Sequence, residues 1–179
     1  MSEKMSSEAA KAAVESLYDM VAVRWKEVVT EGEFMSLLMK GELPKEAIKV
    51  FFRSWGAYTI EINTIVAATY LKHLPFFKKH RDLMGPLGEK IADEFIHPKP
   101  PGHYLVMLQT ARALGIPEDE IFVQPLPSMF RGKIDFIRSL LYEGTIAEWW
   151  SSICTEVMIG HWSKDFGTAL RKKYGFSDQ

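Results

Sequence analysis

Cysteine is nearly absent. The single Cys154 among 179 residues rules out an internal disulfide and any cysteine-based zinc site, and fits a reducing, cytoplasmic setting. Also missing is any uncharged run near the roughly eighteen apolar residues that a membrane span requires. The N-terminus Met1-Ser2-Glu3-Lys4 is polar and then turns amphipathic, unlike a secretion signal. There is no excess of either charge: the formal net charge is -1, so no large single-sign field exists to hold nucleic acid or an anionic membrane. The clusters Lys78-Lys79-His80-Arg81 and Arg171-Lys172-Lys173 read as solvated helix ends, where the helix dipole favours cations. Alternating β-branched runs are lacking, and neither an internal repeat nor a low-complexity linker is present.

What the chain does have is apolar residues, 47% of the total, recurring at helical spacing in nearly every segment. The expected class is all-α, with residues 1–179 forming one helical domain. The first helix is predicted from about Ser7, read as its N-cap, to about Val29, with Val14, Leu17, Tyr18, Val21 and Trp25 on one stripe. Gly41-Glu42-Leu43-Pro44 supplies a stop and a restart, and the longest helical stretch follows from about Lys45 to Leu74, closed by Pro75. Gly85 and Pro86 mark a connection before a helix from about Leu87 to Phe95. The run His97-Pro98-Lys99-Pro100-Pro101-Gly102 is not helical, because its prolines lack donors and push their predecessors to extended backbone. Helices then run from His103 to Leu114, from about Ser128 to Leu141, and from about Thr145 to Tyr174.

Carboxylates on faces that otherwise read as core carry the chemistry. Around Glu61 the helical neighbours include Ser54, Ala57, Tyr58, Ile65 and Ala68, with no lysine or arginine. If the helix continues through Gly144, Glu143 shares a face with Phe136, Leu140, Ile146, Ala147 and Trp150. A buried carboxylate raises its pKa, finds a cation from elsewhere, or binds a metal. Glu94 ends a helix with Leu87, Ile91 and Phe95 and precedes His97 and His103. Helical bundles that hold two iron or manganese ions gather such glutamates and histidines from separate helices. His73 and His80 are expected at the surface, Cys154 in the core, and His161 with Asp165 as an ordinary pair one helical turn apart.

Three segments carry a family resemblance. Gly41-Glu42-Leu43-Pro44 leading to Phe51-Phe52-Arg53-Ser54-Trp55-Gly56-Ala57-Tyr58 resembles the opening of the TenA, PqqC and heme-oxygenase-like superfamily. Asp93-Glu94, a loop, then His103-Tyr104-Leu105 through Ala113-Leu114-Gly115-Ile116 resembles that superfamily's acidic pair, histidine and Ala-Leu-Gly helix. Leu141-Tyr142-Glu143-Gly144-Thr145-Ile146-Ala147-Glu148-Trp149 resembles the corresponding helix of its diiron oxidases. The resemblance covers nearly all of the chain from Glu33 on. It implies a heme-oxygenase-like bundle and an O2-activating diiron oxidase or oxygenase, with Glu61, Glu94, His103 and Glu143 as metal ligands and His97 and Asp93 as alternates.

The implied cofactor is two iron ions, with manganese an acceptable substitute. The implied partners are O2 and a small organic acid or lipid-like substrate, and a homodimer is compatible with the architecture. The substrate pocket would be walled by Trp55, Tyr58, Ile62, Leu140, Ala147 and Trp150. Thiaminase-like members carry a nucleophilic cysteine where Glu143 stands, which this chain lacks. The competing reading is a metal-free member of the superfamily, either a cofactor-metabolism enzyme or a small-heterocycle binder; the metal-free branch lines its cavity with histidine and arginine. One departure is clear: the family completes its metal site with His-x-x-x-Asp-x-x-His. Here His161 and Asp165 match it only in part, and position 168 is Thr. The missing ligands are therefore expected on a helix beyond Gln179, the chain being the N-terminal part of a longer one.

Overall fold

A computed structural model describes residues 5–96, 102–152 and 154–176, and these are helical with no strand among them. In chain order the helices are α1 (Ser7–Trp25), α2 (Glu33–Lys40), α3 (Lys45–Lys72), α4 (Leu74–Lys79), α5 (Met84–Phe95), α6 (His103–Ala113), α7 (Glu118–Val123), α8 (Ser128–Glu143), α9 (Ile146–Ser151) and α10 (Glu156–Tyr174). A wide π turn, Lys26–Thr30, follows α1, and a 3-10 turn, Arg81–Leu83, precedes α5. None of the described helices is long and apolar enough to cross a membrane.

The helices gather into two compact units. Of the described residues, one unit comprises 5–43 and 154–176, the other 44–96 and 102–152.

In the first unit α2 packs on α10. Met35 and Leu38 face Phe166, Ala169 and Leu170 in its buried core. The Trp162 indole N–H donates to Met35 Sδ at 3.1 Å, and its ring stacks on Phe166 with centroids 5.1 Å apart. The left-handed Gly41 (φ 80°) ends α2, and its missing Cβ also lets Lys173 approach. The N-cap of α1 is Ser6 rather than Ser7: its hydroxyl accepts from the Ala9 N–H. No residue of α1 is fully buried, and Leu17, Val21 and Trp25 are half-buried.

The second unit is built around α3. Its 28 residues, about 42 Å at the usual rise, contact α5, α6, α7 and α8. Phe52, Ala57, Tyr58, Ile65 and Val66 meet a core that includes Met107, Ile121, Ile134 and Leu141. At Gly56 the packing is close: an added Cβ would stand 2.8 Å from Ile121 Cγ2 and 2.9 Å from Met107 Sδ.

Several punctuation marks act otherwise than expected. Pro75 does not end the helical path, since it occupies the first turn of α4, where no donor is needed. Gly85 and Pro86 likewise lie in the first turn of α5. Ser128 begins α8 without a side-chain cap. His73 and Cys154 are half-buried, against expectations of surface and core.

The consequential difference is at Gly144. There α8 stops in extended backbone (φ −84°, ψ 176°), and α9 starts afresh with a capping box in which Thr145 and Glu148 bond each other's backbone N–H. The face that joined Glu143 to Ile146, Ala147 and Trp150 therefore does not exist.

Filling the gap at Gly56 tests the packing of α3. Gly56→Ala is expected to destabilise the protein by about 1–3 kcal/mol despite the better helix propensity of alanine, because two side chains must shift. Urea unfolding measures this, and an unchanged or raised midpoint would contradict the close approach.

Candidate functional site

Helix α3 presents Glu61 on the side facing α8. There Arg131 donates through both Nη atoms to the two carboxylate oxygens at 2.8 Å, and Arg138 Nη2 adds a third bond at 3.1 Å. The arginines are seven residues apart, two helical turns, so both reach the same carboxylate. The expectation of an unpartnered Glu61 is thus corrected: its cations come from another helix. Arg138 also lies 3.9 Å from Asp135. Beside this cluster Trp55, Tyr58 and Phe130 pack ring on ring, and Lys133 sits 5.0 Å above the Tyr58 ring. Asn63, two residues beyond Glu61, is buried, and its amide nitrogen has no partner among the described residues.

Glu94 is buried in the last turn of α5, at 7% exposure. Its Oε1 accepts from Lys90 Nζ at 2.8 Å and faces His103 Nδ1 at 3.6 Å. Burial alone would push this carboxyl up, but His103 and Lys90 together outweigh it and hold the pKa at about 2. In return the carboxylate raises His103 above 6.5, against partial burial and Lys90, with help from Asp93. The His103 side chain is half exposed, and Nδ1 is the nitrogen turned to Glu94.

Glycine makes this pairing possible. Gly102, just before α6, lies so close to the end of α5 that an added Cβ would fall 2.5 Å from the Glu94 carbonyl oxygen. Any side chain there would force the backbone at the end of α5 or the start of α6 to shift.

Glu143 does not join. It is exposed at the end of α8, a consequence of the break at Gly144. Asp93 is half-buried and touches the site only through its charge on His103; His97 lies outside the described residues. Of the expected pocket wall, Tyr58 is buried, Trp55, Ile62, Leu140 and Trp150 are half-buried, and Ala147 is exposed. Trp55 and Tyr58 meet each other, whereas Trp150 packs edge-on against Trp149.

The four expected metal ligands are therefore not brought together. Among the described residues no group of three or more His, Cys, Asp or Glu side chains stands close enough to share a metal ion. The donor set fits poorly on chemical grounds too. Glu61 is neutralised by two guanidiniums, which a cation would have to displace.

The residues that the sequence reading missed are the cations. Lys90 was within reach of it, being one turn before Glu94. Arg131 and Arg138 left no local signal, since they meet Glu61 only through packing.

No family model matches the chain, nor does any curated protein or solved structure.

Two measurements follow. A carboxylate short of cations is relieved by neutralisation, whereas one that holds two arginines is not. Glu61→Gln is therefore expected to lower the urea midpoint, and by less in high salt; a raised midpoint would show that the arginines do not neutralise it. For the second pair the sign depends on pH. The depressed Glu94 contributes stability above 4.5 that is lost as pH falls towards 2, and the raised His103 contributes below 6.5 and loses it as pH rises further. The stability gap between wild type and Glu94→Gln should be widest between pH 4.5 and 6.5, and the variant's His103 should titrate nearer 6.5. A gap that does not vary with pH would contradict the pairing.

Proposed function

We propose that the chain is a metal-independent enzyme of the heme-oxygenase-like type, in which His103, held by Glu94, exchanges a proton with a small organic substrate. One observation carries this reading: a buried carboxylate faces Nδ1 of an imidazole whose side chain is half exposed. Such an arrangement orients the ring and stabilises its protonated form, so Nε2 can donate a proton and take it back within the ordinary range of pH. Lys90 keeps Glu94 ionised and so keeps the histidine paired.

The reading also agrees with the charge pattern of the metal-free branch, because histidine and arginine, not unpaired acids, surround Glu94 and Glu61. An acidic substrate suits the setting, since Arg131, Arg138 and Lys133 outnumber Glu61 and Asp135 near the Trp55, Tyr58 and Phe130 rings.

A diiron oxidase is the second reading, favoured by the meeting of two of its four expected ligands, Glu94 and His103. It would require Glu61 to leave both arginines and Glu143 to turn inward.

The two readings part in one experiment. Protein labelled at histidine is titrated with a panel of small organic acids and heterocycles, and separately with ferrous iron without oxygen. The metal-free reading expects an organic ligand to move the His103 resonance, an effect lost in Glu94→Gln, while iron binding stays below one equivalent. Binding of two equivalents of iron, abolished by Glu61→Gln and by Glu143→Gln, would replace it with the diiron reading.

A further inference from the structure

A half-open cleft of about 150 Å³ lies in the first unit, between the end of α1, the π turn, α2 and α10. Its walls include Trp25, Trp162, Met35 and Met158, and its polar lining includes Lys26, His161 and Asp165. It has no part in the Glu94 and His103 site.

Trp162 is fixed in place by its bond to Met35 and its stack on Phe166. Trp25 closes α1 at the point where the helix widens into the π turn, whose i to i+5 bond runs from the Glu31 N–H to the Lys26 carbonyl at 2.8 Å. Such wide turns interrupt the regular ladder and recur at functional sites.

The lining holds one cation and one anion, which are engaged differently. Lys26 Nζ is paired with Glu31 at 3.4 Å. The Asp165 carboxylate has no hydrogen-bond or ion-pair partner among the described residues, and neither has His161, one turn before it. Two indoles, two polarizable thioethers and one exposed carboxylate that no cation of the described residues holds form a setting that suits a cation of low hydration: the ring faces and sulfurs meet its alkyl groups and the carboxylate its charge.

We propose that this cleft binds a small alkylated ammonium ion, with Asp165 as counter-ion and Trp25 and Trp162 as aromatic walls. The volume is well below that of a pocket for a drug-sized molecule and limits the ligand to a few non-hydrogen atoms around the nitrogen.

Choline, its uncharged isostere 3,3-dimethylbutan-1-ol, and sodium chloride at matched ionic strength are each titrated into the full chain. The indole N–H resonances of the five tryptophans are followed. Choline is expected to shift those of Trp25 and Trp162 saturably, leaving the other three in place. The isostere should bind about tenfold more weakly, as should choline to Asp165→Asn. Asp165 is exposed, so this variant should fold, and Trp25→Leu offers a second that removes a wall. Three results would each overturn the proposal: no saturable shift beyond the salt control, equal binding of the isostere, or undiminished choline binding by both variants.

Discussion

Acidic side chains taken out of water need cations, and this chain supplies them from neighbouring turns and helices. Glu61 receives two guanidiniums from α8, and Glu94 receives an ammonium from its own helix and an imidazole from the next. Leaving either carboxylate unpaired would cost more than its pairing gains, because desolvation is paid by each ion while the attraction exists only when both are in place. The pairs thereby constrain how α3 meets α8 and how α5 meets α6. They also decide the chemistry: a carboxylate already neutralised by arginine is a poor ligand for a dication, whereas one that holds a histidine makes that histidine a better acid–base group.

The helical class was legible because period-3.6 apolar spacing is a local property that tertiary contacts reinforce. Ile48, Phe52, Ile65, Val66 and Thr69 of α3 are buried at the spacing expected of one helix face. Proline and glycine were less legible, since each has two opposite meanings. Pro75 reads as a stop but fits a first helical turn equally well, and the fold uses the second meaning. At Gly144 the ambiguity mattered more. Thr145 and Glu148 form a capping box whose four-residue signature stands in the sequence, and it predicts a new start there and hence a break before it. With the break in place Glu143 is exposed, and the apparent convergence of acids loses one member.

The candidate site was legible in part for a similar reason. Glu94 and His103 were singled out, and their meeting depends on short-range chain geometry that a sequence partly encodes. That Glu61 lies on the inner side of α3 was likewise readable from Ala57, Tyr58 and Ile65. Its partners were not, because the phase of α8 against α3 is set by the buried Ile134, Ile137 and Leu141, and only that phase turns Arg131 and Arg138 towards Glu61. An apolar helix face reports that a side chain is heading inward without reporting what waits for it there.

Gly102 shows how strictly the approach of two side chains rests on packing. A Cβ at this position would clash with the backbone of Phe95 and Glu94, and relief by moving α6 away from the end of α5 would lengthen the present 3.6 Å between His103 Nδ1 and Glu94 Oε1. The coupling between the two charges falls with that distance, so the histidine loses the support that raises its pKa while the carboxylate keeps most of its burial. Lys90 would then hold Glu94 alone, and an ion pair within one helix orients nothing on the next. How closely His103 and Glu94 approach thus depends on a residue with no side chain.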